Sequence, residues 1–164
     1  MKGRARLFGD NINTDYIITS RRKRENLDPQ YLRNYLFEEL DPSFAATVKP
    51  DDFLVAGKNF GCGSAMEVAV TAVVGAGIRA VLAKSFSRTY FRNAVNNGLI
   101  PILCDTSGIR EGDALDVDWT HSFEIRNRTT GVVVTTEPIR GIMREILDAG
   151  GLVPYFRNKG GFQL

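Results

Sequence analysis

Histidine and cysteine are scarce in this chain, which has one of the first and two of the second in 164 residues. His121, inside "DWTHSFEI", would have to serve any Ser-His-Asp or Cys-His arrangement alone, and its setting reads as a surface strand. Cys62 and Cys104 cannot make a disulfide framework, and they fall short of the three or four thiolates that usually hold an iron-sulfur cluster. No metal site is therefore expected on this chain. Neither sign of charge prevails: 21 Lys and Arg against 19 Asp and Glu leave +2, too little to imply a polyanionic partner. Long apolar runs are missing as well. Nothing approaches the roughly 20 residues that span a bilayer, and "MKGRARLFGD" lacks a signal-type apolar core, so a cytoplasmic protein with no membrane contact is expected. The length and a hydrophobic content of 43% suit one compact domain over residues 1–164.

What is present alternates. "RARLF" reads as a first strand, followed by loop residues in "GDNINTDYI" and a basic, polar segment "SRRKREN". "DPQYLRNYLFEEL" predicts a helix from Asp28, with an N-cap candidate, Pro29 at the first turn and Tyr31, Leu32, Tyr35 and Leu36 at helical spacing. A short buried strand around "FLVAG" leads into a glycine loop. Then come a helix from about Ala65 to Ala76, a strand "AVLAKS", a helix in "SRTYFRNAVNN" and a strand "LIPILC". That βαβ rhythm predicts parallel strands with helical crossovers. Past "SGIREGD", the segments "ALDVDW", "SFEIRN" and "VVVTTE" read as consecutive antiparallel strands. "PIRGIMREILDAGGLVPYF" reads as an amphipathic helix that begins near a proline and ends at Gly150 and Gly151. The fold class is α/β.

The glycine loop, "GKNFGCGSAMEVAV" from Gly57, fails three familiar templates. A P-loop ends in Gly-Lys-Ser/Thr, but Lys58 comes early and Asn59 follows it. The dinucleotide fingerprint needs glycine where Met66 stands, and a nucleophile elbow needs glycines where Cys62 and Met66 stand. Two readings remain open. Ser64 could sit at a helix start in an anion or oxyanion pocket, since glycines admit positive φ and free N–H groups favour negative charge. It could equally be a plain N-cap, with Glu67 three residues on completing a capping box.

Taken together, "GDNINTDYI", "GKNFGCGS", "AKSFSRTYFRNAVNNGL" and "EILDAGGLVPYF" resemble, in order and over nearly the whole chain, the small swivel subunits of 3-isopropylmalate dehydratases in the aconitase family. The resemblance implies a swivelling β/β/α domain of the aconitase C-terminal type, a mixed sheet or barrel with flanking helices. It implies a separate large subunit carrying a [4Fe-4S] cluster, in a heterodimer or heterotetramer, with none bound by this chain. The implied reaction is reversible dehydration of a small 2-hydroxy acid, with cluster iron as Lewis acid. Ser64 matches the family's catalytic base and Asp15 an active-site aspartate. Gly61, Cys62, Gly63, Ala65 and Met66 would line the substrate, with Lys58 and Asn59 supporting the loop. Arg88, Arg92 and Asn93 fall in a matching helix and read as structural or subunit-contact residues.

Two departures bear on substrate. Common members read Gly-Ser-Ser-Arg-Glu, whereas this chain reads Gly63-Ser64-Ala65-Met66-Glu67, losing an arginine that in the family grips a carboxylate. The segment after "NTDYI" is basic, so Arg21, Arg22, Lys23 and Arg24 could restore that charge, or could be solvated or face the large subunit. 3-Isopropylmalate is the expected substrate, with homocitrate or homoaconitate and 2,3-dimethylmalate or citramalate as alternatives. An alkyl branch suits Met66 better than a third carboxylate does. A nucleic-acid partner is not expected, because the basic run lacks interleaved aromatics.

Overall fold

Burial along the strands divides the sheet in two. In the computed structural model, which describes residues 1–160, β2 (Phe53–Ala56) and β3 (Ala80–Ala83) are buried at every position. Such strands belong to a parallel sheet covered on both faces. β5 (Ala114–Asp118) and β6 (Glu124–Asn127) instead alternate buried and more exposed residues, as antiparallel strands with one wet face do. With β1 (Lys2–Leu7), β4 (Ile100–Leu103) and β7 (Val133–Thr135) they form one seven-stranded sheet in the order β4-β3-β2-β1-β5-β6-β7.

The switch falls inside β1. Its second half runs parallel to β2, with Ala5 opposite Phe53, and its first half runs antiparallel to β5, with Gly3 opposite Leu115. β2, β3 and β4 continue parallel, and β5, β6 and β7 antiparallel. The sheet curls until its ends meet: Cys104 bridges Thr136, and the Glu137 N–H donates to the Leu103 carbonyl at 3.0 Å. This is the mixed, barrel-like sheet the resemblance implied. The last four residues of the expected 1–164 domain lie outside the described residues.

Alternate residues of β2 and β3 feed two cores. Leu54, Ala56, Val81 and Ala83 join Ile17, Leu32, Phe37 and Val73 on one face. Phe53, Val55, Ala80 and Leu82 join Leu115, Val117, Ile125, Ile146 and Tyr155 on the other. The first face is covered by short helices α1 (Thr14–Ile17), α3 (Pro29–Leu32) and α4 (Phe44–Thr47), and by α5 (Val68–Gly75), while α2 (Ser20–Glu25) buries no residue. α6 (Arg88–Asn96) packs beside α5, and α7 (Ile142–Asp148) and α8 (Leu152–Lys159) pack on α6.

Three expectations change. The basic segment, to which the sequence assigned no helix, forms α2. The helix expected from Asp28 starts as foreseen, the Asp28 carboxylate accepting from the Gln30 N–H at 2.9 Å, but gives way after Leu32 to a 3-10 turn over Arg33–Tyr35. Phe37, at φ 55°, ends it: its N–H donates to the Ile17 carbonyl at 3.0 Å and its ring stacks on Phe8, so tertiary contacts outweigh helical spacing. The tail helix stops near Gly150 as foreseen, but Gly151, at φ 125°, starts a second one, α8, whose Tyr155 is buried in the core.

Candidate active site at the ends of the parallel strands

Three loops leave the carboxyl ends of β1, β2 and β3, the place where open α/β sheets present their chemistry. They are laced together by backbone and short side chains. The Asn11 N–H donates to the Lys58 carbonyl at 2.8 Å, the Lys58 N–H to the Asp10 carboxylate at 2.7 Å, and Asn59 Nδ2 to Asn11 Oδ1 at 2.9 Å. Further along, the Gly61 N–H donates to the Ile12 carbonyl at 2.8 Å, the Thr14 N–H to the Cys62 carbonyl at 2.8 Å, and the Thr14 hydroxyl to the Ser64 carbonyl at 2.9 Å. The third loop closes from the other side: the Asn59 N–H donates to the Ser85 hydroxyl at 2.8 Å and the Ser87 hydroxyl to the Gly61 carbonyl at 2.6 Å.

The bareness of the glycine loop has a specific cause. Gly61 and Gly63 sit at φ 74° and 90°, where side chains are strained. A Cβ at Gly61 would collide with the Tyr90 ring, and one at Gly63 with the Asn13 side-chain amide. The neighbours that demand glycine here are therefore packing partners within the chain. Asn13 was not singled out from sequence; it caps α1, its Oδ1 accepting from the Asp15 N–H at 2.9 Å. The readable signal was an Asn two residues before an Asp, the pattern of a side chain that caps a turn.

Ser64 is exposed, and its hydroxyl makes no hydrogen bond among the described residues. The N–H groups of Gly63, Ser64 and Ala65 likewise donate to nothing there. Both readings of Ser64 as the helix start need correction. α5 begins at Val68 with Glu67 in the cap position and no side-chain cap, so no capping box forms. A tight turn, in which the Met66 N–H donates to the Ser64 carbonyl at 2.8 Å, comes first. Glu67 instead accepts from Asn97 Nδ2 at 3.1 Å. The donors available to charge at Ser64 are thus loop N–H groups and not a helix end.

Asp15 is half-buried, and its Oδ1 accepts from the Ser20 hydroxyl at 2.7 Å and the Ser20 N–H at 3.2 Å. The same hydroxyl lies 3.7 Å from the Met66 sulfur. Met66, expected to face substrate, is only 4% exposed and belongs to the core under the loop. A methionine takes this place because the turn at Ser64–Met66 directs position 66 inward, where a thioether fills irregular space.

The basic run splits. Arg22 is held by Glu38 at 2.9 Å and Glu25 at 3.0 Å, with its guanidinium 3.7 Å over the Tyr35 ring. Those contacts raise its pKa further and lower those of both carboxyls. Arg22 is thereby engaged in pinning α2 to the fold, which removes it from the cations facing substrate. Arg21 is 64% exposed and only 3.9 Å from Glu25, and Arg24 is exposed. Cys62 is half-buried. Cys104 lies at the seam of the curled sheet, where burial, aided by Asp105, pushes its thiol up to about 12. His121 is exposed as expected, but in the turn after β5 and not in a strand. Among the described residues no three His, Cys, Asp or Glu side chains gather into a metal site, and no helix is long and apolar enough to cross a membrane.

Residues 11–107, which carry the second and third loops and most of the first, match the model of the aconitase C-terminal domain, and the chain belongs to that family. Relatives similar to it over nearly its whole length include small subunits. It is 43% identical over 164 residues to 3-isopropylmalate dehydratase small subunit 2 of Archaeoglobus fulgidus, covering 100% of this chain and 99% of that one. It is 44% identical over 159 residues to the methanogen homoaconitase small subunit of Methanocaldococcus jannaschii, covering 97% and 92%. The crystal structure of a 3-isopropylmalate dehydratase from M. jannaschii superimposes with a TM-score of 0.94 at 44% identity, covering 97% of this chain and 94% of that one. The resemblance read from the motifs is borne out, and so is the fold it implied.

Proposed function

We propose that this chain is the small subunit of a two-chain hydro-lyase of the 3-isopropylmalate dehydratase type, working in the cytoplasm as a single swivel-type domain against a large subunit. The observation that carries the reading is the unpartnered Ser64 hydroxyl on a loop clamped to the Asp15 segment through Thr14. Ser64 takes the proton from the carbon beside a substrate carboxylate. A serine hydroxyl is a poor base, but three open N–H groups at positions 63, 64 and 65 favour negative charge at that point. Asp15, steadied by Ser20, orients the polar groups around it. The backbone of Gly61, Cys62, Gly63 and Ala65 forms this chain's wall of the substrate site.

The cluster that the family implies fits the large subunit better than this chain, which has two cysteines, Cys62 in the glycine loop and Cys104 just past β4. When bound there, it supplies a Lewis-acidic iron for the departing hydroxyl. The relatives' names divide between 3-isopropylmalate and homoaconitate chemistry at 43% and 44% identity, so substrate must be argued from the site. With position 66 apolar and turned inward, and Arg22 bound to Glu38, the exposed cations left on α2 and the glycine loop are Arg21, Lys23, Arg24 and Lys58. Because position 66 offers no cation to grip a third carboxylate, 3-isopropylmalate, a dicarboxylate with an alkyl branch, is favoured over a tricarboxylate. Homoaconitase is the alternative.

The test is anaerobic dehydration by the chain co-purified with its large subunit, read as ultraviolet absorbance of the unsaturated product across a panel of 2-hydroxy diacids and triacids. Turnover of 2- or 3-isopropylmalate, lost by about 10³-fold in Ser64→Ala with assembly intact, is expected. Activity on homocitrate alone would move the reading to homoaconitase, and an unchanged Ser64→Ala enzyme would remove Ser64 as the base.

A further inference from the structure

Beside the third loop lies a groove of about 370 Å³ between α6 and α7, with Phe86, Phe91, Leu103 and Met143 in its lining and Arg88 and Arg92 flanking them. Its composition is that of an interface centre: aromatics, methionine and arginine, without lysine or acid. Met143, 40% exposed, and its neighbour Ile142, 38% exposed, add to Phe86 and Phe91 to make this apolar surface contiguous rather than scattered.

The two arginines sit badly for the isolated chain. Arg88 is the first residue of α6, at the positive end of the helix, and Arg92 follows one turn later on the same face. α6 has no acid in its first turn, and neither guanidinium meets a carboxylate among the described residues. Arg6, Arg22 and Arg144 each have one. A cation at a helix N-terminus, repeated at i+4 and left uncompensated, costs folding free energy that an external anion would recover.

We infer that this groove seats an apolar segment of the large subunit flanked by carboxylates. The inference rests on the proposed two-chain enzyme and specifies where its partner docks. Two features of the molecule support that occupant. The positive, apolar lining calls for an acidic, apolar partner. The groove is also continuous with the candidate site, because Ser85, which lines it, accepts from the Asn59 N–H of the glycine loop. A subunit that covers Ser64 and Asp15 reaches the groove without crossing unrelated surface, and its docking there would fix the third loop against the glycine loop.

The experiment measures affinity for the purified, cluster-loaded large subunit by anaerobic calorimetry, at two salt concentrations, with circular dichroism and thermal melting as fold controls. The variants are Arg88→Glu/Arg92→Glu, Met143→Asp, and Val153→Asp on exposed α8 as the control. The double variant is expected to bind about 100-fold more weakly, with the wild-type affinity falling as salt rises. Its melting temperature should hold or rise, since Glu suits a helix start. Met143→Asp should also weaken binding, and Val153→Asp should not. Wild-type-like binding by both groove variants, with a wild-type pair that turns over substrate, would overturn the docking site and leave the proposed function standing. A wild-type chain that neither binds the large subunit nor supports dehydration would remove both. Self-association abolished by the groove variants would overturn it in favour of a second copy.

Discussion

The parallel and antiparallel halves of the sheet use polar groups in opposite ways. In the antiparallel half the turns consume their own donors: Asp118 accepts from the N–H groups of Thr120, His121 and Ser122, and Asn127 from those of Thr129 and Thr130. In the parallel half the loops are tied to one another by many hydrogen bonds, yet the hydroxyl of Ser64 and the N–H groups around it stay open. The contrast separates a self-satisfied edge from a surface held rigid while its donors wait for something else. The halves also differ in what their strands contribute. β2 and β3 divide two cores between their faces, whereas β7 lies in part in solvent, with Val133 46% exposed.

The largest break in this comparison should come from stability. Leu82→Ala in β3, at a side chain with 0% exposure, is expected to cost about 2–5 kcal/mol in denaturant unfolding. Val133→Ala in β7 should stay within about 0.5 kcal/mol. Equal losses would mean that the two halves share the core evenly. Next comes Gly63→Ala, which meets both positive φ and the Asn13 amide. Turnover should fall by about 100-fold, because a displacement of order 1 Å at Ser64 misaligns the base. Adding Asn13→Ala should return part of that loss; no recovery would show that backbone strain, and not the collision, is the cause.

A smaller effect belongs to the antiparallel side. Asp113 is buried where β5 begins, and its carboxylate accepts from the Arg110 N–H at 2.9 Å and Asn127 Nδ2 at 2.6 Å, which holds its pKa below the usual range. A carboxyl depressed in the folded state contributes stability above its unfolded pKa of about 3.9 and loses it as pH falls through the lower folded value. Asp113→Asn should therefore cost about 1 kcal/mol near neutrality, and the gap to wild type should close below about pH 4. Chemical unfolding at several pH values measures it. A constant gap would mean that packing, not ionisation, sets the difference.

Much of the fold was legible because each half announces its period: continuous apolar runs in "FLVA" and "AVLA", alternation in "ALDVD" and "EIRN". The break between them at "SGIREGD" was visible for the same reason. What stayed hidden depended on contacts far apart in sequence. The long helix from Asp28 has the right spacing, and only the pull of Ile17 and Phe8 on Phe37 stops it. The glycine loop and its serine were readable as a site, but the reason for the glycines was not, because Tyr90 and Asn13 press on them from other loops. The basic run read as one feature, and only Glu38, 16 positions beyond Arg22, divides it into an anchor and exposed charges.

Met66 gives the smallest predicted effect on turnover and bears most directly on substrate. Read from sequence, it replaces a carboxylate-gripping arginine and should touch the substrate; in the fold it is 4% exposed, with its sulfur against Ser20. A core methionine tolerates a near-isosteric change, so Met66→Leu should cost under about 1.5 kcal/mol and leave KM within a few-fold. A substrate contact would behave otherwise, since trimming or reshaping a wall that grips an alkyl branch is worth about 1–3 kcal/mol in discrimination. KM for the branched acid measured against its unbranched homologue decides between them. An unchanged ratio leaves substrate choice to Arg21, Arg24 and the large subunit, with Met66 acting only as the floor that sets the height of the Asp15–Ser20 pair.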